Sequence, residues 1–224
     1  MSSESPKQAL FAQFAAVAKA VAHPHRLELL EQLAQGERSV EVLADRTRVS
    51  VANASQHLQH LRRAGLVAAR RDGKFVFYRL ADDDAVLGLL TSLRRIAELQ
   101  SAEVEHVVRS YFNDRDSLEA VSRLDLMDRL EAGIVTVLDV RPEDEFALGH
   151  LPGAISVPLS ELDKRLADLD PDREIVAYCR GPYCVLSYEA VAMLRARGFK
   201  VRRLEDGLPE WRAAGLPVEG STSV

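Results

Sequence analysis

The chain has 224 residues, 47% hydrophobic and 28% charged, enough for one large domain or two of ordinary size and typical of a soluble protein. No apolar run approaches the roughly 18 residues of a membrane span, and MSSESPKQAL lacks the basic and apolar pattern of a secretion signal, so a membrane-spanning class is excluded and a cytoplasmic protein is expected. The net charge of −5 is uneven: residues 1–80 hold 12 Lys and Arg against 7 Asp and Glu, and the remaining 144 hold 17 against 27, which suggests two domains, the basic one suited to a polyanion such as DNA.

The stretch KQALFAQFAAVAKAVAHPHRLELLEQLAQG predicts a helix, a break at Pro24 and a second helix ended by Gly36. Ser39 is placed to cap a short helix through VEVLADRT, and Ser50 to cap another through VANASQHLQHLRRAG, ended by Gly65. In that last helix Val51, Ala54, Leu58 and Leu61 share one face at helical spacing. Asn53, Ser55, Gln56, Gln59 and Arg63 fall largely elsewhere. LVAARRDGKFVFYRL follows, and its Asp72-Gly73 pair between two strand-like runs signals a hairpin.

Helix, turn, helix and basic hairpin is the order of a winged helix-turn-helix. Short polar side chains on the second helix suit base edges in a major groove. Arg70, Arg71 and Lys74 at the hairpin suit phosphates or the minor groove. HPHRLELLEQL and VSVANASQHLQHLRRAGLVAARRDGKFVFYRL closely resemble the ArsR family of winged-helix repressors, over about residues 8–112. The resemblance implies a homodimer on an inverted-repeat operator in double-stranded DNA. It also implies that Ser55, Gln56 and His57 occupy the DNA-facing part of the recognition helix. Many members of that family sense metals through cysteines early in the helix-turn-helix, or through Asp and His on the last helix. Here SVEVLADRT has no cysteine, and the last helix offers Asp84, Glu103 and His106 without a second nearby histidine. No metal site and no cofactor are expected.

Asp83 to Tyr111 predicts one long helix. Val86, Leu90, Leu93, Ala97, Gln100, Val104, Val107 and Tyr111 form a heptad seam along it with one polar position. Such a seam favours a partner helix, consistent with a homodimer on DNA half-sites. NDRDSLEAVS then breaks the pattern, which places the boundary near residues 113–117 and the domains at 1–115 and 116–224.

In the second part LEAV, IVTVLDV, REIVAYC and KVRRLE read as strands, with helical segments between them and Ser122 capping RLDLMDRLEAG. This alternation predicts an α/β domain with a parallel sheet. Cys179 stands where the strand EIVAY ends, RGPYCVL forms the loop, and Ser187 is expected to open the next helix. Open α/β sheets bind ligands at the carboxyl ends of their strands. A thiol cupped there by backbone N–H groups, facing a helix N-terminus, has a lowered pKa, and the same cradle binds oxyanions. Cys179 and Cys184 are the only cysteines. A disulfide, a reactive thiol and two buried small hydrophobes all remain open. Zinc is disfavoured because it needs about four ligands and His150 is the only histidine of this part.

LDVRPEDEFALGHLPGAISVPL, YCRG and EDGLPEWRAAGLPV, in that order over about residues 116–219, resemble a rhodanese domain. The resemblance implies that Cys179 is the thiolate that accepts a sulfane sulfur and becomes a persulfide, with loop amides at Gly181 and Tyr183 stabilising charge. Arg180 matches the Arg beside the catalytic Cys, and Asp139 and Arg141 match a supporting LDVR stretch. Asp206, Gly207 and Trp211 are expected to hold the fold. Three features depart from the pattern. Cys184 replaces the usual basic or hydroxyl residue, Pro182 removes a backbone donor, and the loop region is longer than usual. These argue against efficient thiosulfate turnover, and the longer loop is similar to that of phosphatase and arsenate-reductase relatives but lacks their closing Arg, which argues against phosphatase activity. A second thiol at 184 is placed to resolve a persulfide or sulfenate on Cys179.

The sequence is therefore read as a homodimeric repressor whose rhodanese-like domain senses a sulfane-sulfur donor or an oxidant through Cys179 and Cys184. The alternative is a sulfurtransferase carrying a DNA-binding module for localisation. A lower-ranked alternative is an arsenic(III)-responsive repressor using both thiols.

Overall fold

The computed structural model describes residues 5–113 and 120–220. They form two compact units, Met1–Thr91 and Ser92–Val224. Among the described residues, no helix is long and apolar enough to cross a membrane.

The first unit opens with α1 (Pro6–Val21), capped reciprocally by Ser5 and Gln8. The chain breaks at His23 and restarts as α2 (Pro24–Ala34) with Pro24 in the first helical turn, where its missing N–H costs nothing. Ser39 caps α3 (Val40–Arg46) and Ser50 caps α4 (Val51–Arg63), each accepting from the N–H three residues on. Three strands complete the unit: β1 (Arg38–Ser39), β2 (Val67–Asp72) and β3 (Phe75–Leu80), antiparallel in the order β1-β3-β2. The hairpin is present with a one-residue difference from expectation. Asp72 still pairs with Phe75, so the turn residues are Gly73 and Lys74, and Gly73 supplies the positive φ of 58° that the turn needs.

Leu29, Leu30, Leu43, Ala54, Leu58 and Leu61 have no exposed surface and form the core. Each fully buried leucine contributes roughly 1.5–3 kcal/mol. Val51 was expected on the same face as Ala54 and Leu58. It stands in the first turn of α4, beyond the reach of this core, and stays 47% exposed.

Helix α5 (Asp83–Gln100) is the one element that runs through the unit boundary. The single helix expected to Tyr111 is interrupted. Ser101 leaves helical geometry at φ −109°, ψ 108°, and its hydroxyl accepts from the Val104 N–H to start α6 (Ala102–Val107). Serine competes for backbone hydrogen bonds in this way, and here the cap defeats the heptad. A π-helical turn follows over Val108–Asn113. Along the expected seam Val86 is buried, whereas Leu93 and Val107 are exposed.

The rest of the second unit carries a parallel sheet in the order β5-β4-β6-β7. Its strands are β4 (Val135–Asp139), β5 (Ile155–Ser156), β6 (Glu174–Tyr178) and β7 (Val201–Arg203). Helices α7 (Arg123–Glu131), α8 (Glu143–Leu148), α9 (Val185–Ala196) and α10 (Leu208–Ala213) accompany them. Ser122 caps α7 as expected. The expected LEAV strand lies partly outside the described residues, and Val121 makes a single parallel bridge to Leu204. β5 was not foreseen, being only two residues long.

Alternation along β6 fixes the site. Ile175 and Ala177 point into one apolar cluster, and Val176 and Tyr178 into another on the opposite face. Cys179 continues the first series and joins the Ile175 cluster with Cys184. The helix expected to open at Ser187 begins earlier, at Val185, with Cys184 as its extended N-cap residue. Ser187 lies inside the first turn, where its hydroxyl donates to the Cys184 carbonyl at 3.0 Å.

Candidate functional site

Cys179 and Cys184 are joined by a disulfide across the loop between β6 and α9. Their Cα atoms lie 6.1 Å apart, inside the ordinary range for such a bond. Both are buried, at 1% and 7% exposure, so chemistry at the sulfurs needs a movement of the loop or of the side chains that cover it.

The loop is clamped from several sides. Leu208 N–H donates to the Cys179 carbonyl at 3.2 Å, and Cys184 N–H to the Gly181 carbonyl at 3.1 Å. Arg180 donates to Glu145 at 2.9 and 2.7 Å, and Glu145 is wholly buried. The Glu210 carboxylate accepts from Gly207 N–H at 3.1 Å and lies beside Gly181. Burial raises the pKa of Glu210.

Gly207 approaches more closely than any side chain permits. A Cβ there would stand 2.3–2.4 Å from the backbone of Arg180 and Gly181. Gly207→Ala must therefore push the loop away, at a cost of about 1–3 kcal/mol. In the reduced variant we expect faster reaction of both thiols with Ellman's reagent than in the reduced native chain. An unchanged rate would show that the loop tolerates the added methyl.

Asp139 and Arg141 form a fully buried ion pair behind the strand end, with Arg141 Nη2 2.6 Å from Asp139 Oδ2. Arg141 also donates to the Gly149 carbonyl at 2.7 Å. The Tyr178 hydroxyl donates to Asp139 and accepts from Leu151 N–H at 3.1 Å. Burial, then the Asp139 charge, pushes the Tyr178 phenol well up. Burial works to lower the Arg141 pKa, but its bonds to Asp139 outweigh that and raise it. Tyr178 immediately precedes Cys179, so this network fixes the point where the loop leaves the sheet.

Tyr183 is held by a residue that sequence reasoning did not single out. Its hydroxyl donates to Glu98 of α5 at 2.8 Å, and its ring lies 5.2 Å from Phe112. Burial first, and then the Glu98 carboxylate, push its phenol up to about 12. Because this acid is raised above the ordinary value of about 10, the neutral form is the one the fold favours. Its contribution is complete below pH about 10 and is lost as pH rises through about 12. In a phenolate absorbance titration, Tyr183→Phe should remove one tyrosine from the late-ionising group. Loss of a tyrosine that ionises near pH 10 instead would contradict this placement.

In the first unit Asn53, Gln56 and Arg63 of α4 are exposed, and Ser55 is half-buried. Arg71 and Lys74 are exposed at the hairpin. Three other expected DNA-facing residues are engaged internally. Gln59 donates to the Tyr78 hydroxyl at 3.1 Å. Arg70 is paired with Glu37 at 2.5–3.0 Å and with Asp72 at 3.2 Å, and its guanidinium covers the Phe77 ring. His57 packs its ring 4.5 Å from His23. Burial, then the nearby His23 and Arg26, hold the His57 pKa below its ordinary value.

Glu98, Glu145, Gly207 and Glu210 entered the site only through the fold. Glu145 is one of three carboxylates in α8, and its burial and its pairing with Arg180 single it out. No cluster of three or more metal-ligating side chains exists among the described residues.

Residues 21–70 match the family model of a helix-turn-helix domain, and residues 122–214 match that of a rhodanese-like domain. The chain is 46% identical to the HTH-type transcriptional regulator Rv0324 of Mycobacterium tuberculosis, over 97% of this chain and 95% of that protein. It is 34% identical to a sulfurtransferase of Allochromatium vinosum, over 38% of this chain and 78% of that one. Among solved structures, the homodimeric winged helix-turn-helix domain of Mb0332 from Mycobacterium bovis is 41% identical, with a TM-score of 0.40, covering 46% of this chain and 95% of that one.

Proposed function

The chain belongs to the helix-turn-helix transcriptional regulators that carry a rhodanese-like domain, and from that premise we propose that it is a homodimeric ArsR-type repressor whose Cys179–Cys184 pair reports reactive sulfur or oxidant. The observation that carries the reading is the bonding of the chain's only two cysteines at the carboxyl end of the central strand β6.

The chemistry proceeds in two balanced steps. In the reduced pair, the Cys179 thiolate attacks the outer sulfur of a small persulfide RS–SH, and RS⁻ leaves, so Cys179 carries the persulfide. The Cys184 thiolate then attacks the Cys179 sulfur, HS⁻ leaves, and the disulfide closes. The donor is reduced to thiol and sulfide as the two cysteines are oxidised. An oxidant such as peroxide reaches the same disulfide through a sulfenate, with water as the leaving group.

Tyr183 stands next to Cys184 and bonds Glu98 of α5. Opening or closing the cysteine pair shifts Tyr183 and biases that bond, and α5 continues into the DNA-binding unit. DNA is met by α4 in the major groove and by the β2–β3 hairpin at the backbone. The exposed Leu93, Ile96 and Leu99 of α5 supply apolar surface for a partner copy.

Arg71 and Lys74 serve as phosphate contacts. Alanine at either should weaken operator binding regardless of sequence and reduce the slope of log K against log salt by about 1. Arg70→Ala should change the slope less, because Glu37 already pairs that side chain. A change at Arg70 equal to that at Arg71 would overturn the assignment.

Similarity to a sulfurtransferase supports a second reading, in which Cys179 passes sulfur to an acceptor and the winged helix localises the enzyme. One experiment separates the two. Full-length reduced protein is treated with polysulfide, weighed intact, and tested for binding to its own upstream DNA, with thiosulfate:cyanide turnover assayed in parallel. Stoichiometric modification with altered binding supports the regulator. Sustained turnover with unaltered binding supports the enzyme.

A further inference from the structure

A cleft of about 480 Å³ opens at the carboxyl ends of β4 and β5. Its floor is apolar: Val140, Leu159 and Leu186 line it, and these same residues pack in the cluster that contains Cys179 and Cys184. Val140 N–H bonds the carbonyl of Tyr178, the residue before Cys179, at 3.3 Å. Leu186 sits in the first turn of α9, two residues past Cys184. The cleft therefore shares its apolar lining with the cluster that holds the buried pair, at the position where open α/β sheets receive ligands.

Its rim is acidic. Glu143, Asp144 and Glu161 line it, and no Lys, Arg or His is among the lining residues. Arg141 and Arg180, next in sequence to Val140 and Cys179, are each matched by a buried carboxylate, Asp139 and Glu145. A rim of one sign over an apolar floor focuses its field on an approaching ion and discriminates by charge. Thiosulfate carries two negative charges and meets no Lys, Arg or His among the lining residues.

On the reading that the pair is reactive, we infer that this cleft is the entry for the sulfur donor and ranks donors by the charge of the carrier group: a small persulfide or disulfide that is cationic or uncharged reacts faster than an anionic donor, and the dianion thiosulfate is among the slowest. The apolar floor takes the carrier's hydrocarbon part, and the acidic rim ranks donors by charge.

The test uses the reduced full chain and three small disulfides, cystamine (two ammonium groups), bis(2-hydroxyethyl) disulfide (neutral) and dithiodiglycolate (two carboxylates). In each case the Cys179 thiolate attacks one reagent sulfur and expels RS⁻, then the Cys184 thiolate attacks Cys179 and expels the second RS⁻. Two electrons pass from the pair to the reagent. Rates are divided by those of dithiothreitol with the same reagents, which removes intrinsic reactivity. At low salt the normalised rate should fall from cystamine to the neutral reagent to dithiodiglycolate, with about tenfold or more between the ends. Salt at 1 M, where the screening length is about 3 Å, should compress the order. The double variant Glu143→Gln, Glu161→Gln should bring the cation-to-anion ratio toward one. Equal normalised rates, or preference for the dianion, would overturn the selectivity and leave the reactive pair standing. Failure of all three reagents to oxidise the pair would overturn both.

Discussion

Cys179→Ser is expected to abolish the response of operator binding to polysulfide and to peroxide, while binding by the untreated variant stays within about twofold of the reduced native chain. The serine hydroxyl is neither ionised at neutral pH nor able to hold a sulfane sulfur, so no persulfide forms and Cys184 has nothing to resolve. The native chain should change its operator affinity at least tenfold on treatment, about 1.4 kcal/mol, which is within the usual range for coupling between two sites. Cys184→Ser separates the steps. It should trap a persulfide on Cys179, seen as one added sulfur by intact mass, without closing the bridge. A Cys179→Ser chain that still responded to polysulfide would place the sensor elsewhere.

Arg141→Ala should be the most destabilising single change in the second unit. It strands the Asp139 carboxylate in a site with no solvent exposure and removes the donor to the Gly149 carbonyl. Breaking a buried pair from one side costs about 3–5 kcal/mol, because the remaining carboxylate is left buried without its counter-charge. Trp211 is the only tryptophan, is 1% exposed and lies in this unit, so its fluorescence isolates the relevant transition in urea. The Trp211 transition should shift by that amount. A shift below about 1 kcal/mol would mean that the pair is dispensable. The loop is expected to fail with it, since Tyr178 bonds Asp139 one residue before Cys179.

Much of this arrangement was legible in the residues. Ser39, Ser50 and Ser122 each announce a helix because a hydroxyl three residues before a free N–H is a local device. The apolar run Ile175 to Tyr178 announced a buried strand, and its end placed Cys179 at the mouth of the sheet. The unread parts depend on distant partners. Arg70 looks like a DNA contact until Glu37, 33 residues away, is seen to hold it, and Gln59 until it is seen to donate to the Tyr78 hydroxyl. Gly207 gives no local sign that it touches the backbone of Arg180. Ser101 was hidden for another reason: the heptad runs unbroken through it, and only the cap shows which pattern wins.

The central claim is that the state of the cysteine pair and the occupancy of DNA are coupled. Coupling of this kind is reciprocal, so bound operator must shift the equilibrium between dithiol and disulfide as much as that equilibrium shifts affinity. The most direct measurement is the reduction potential of Cys179–Cys184 in the full chain, with and without saturating operator DNA, in a series of glutathione buffers. A tenfold difference in affinity requires a shift of about 30 mV for this two-electron couple. The account predicts a shift of at least that size. The same potential with and without DNA would contradict it.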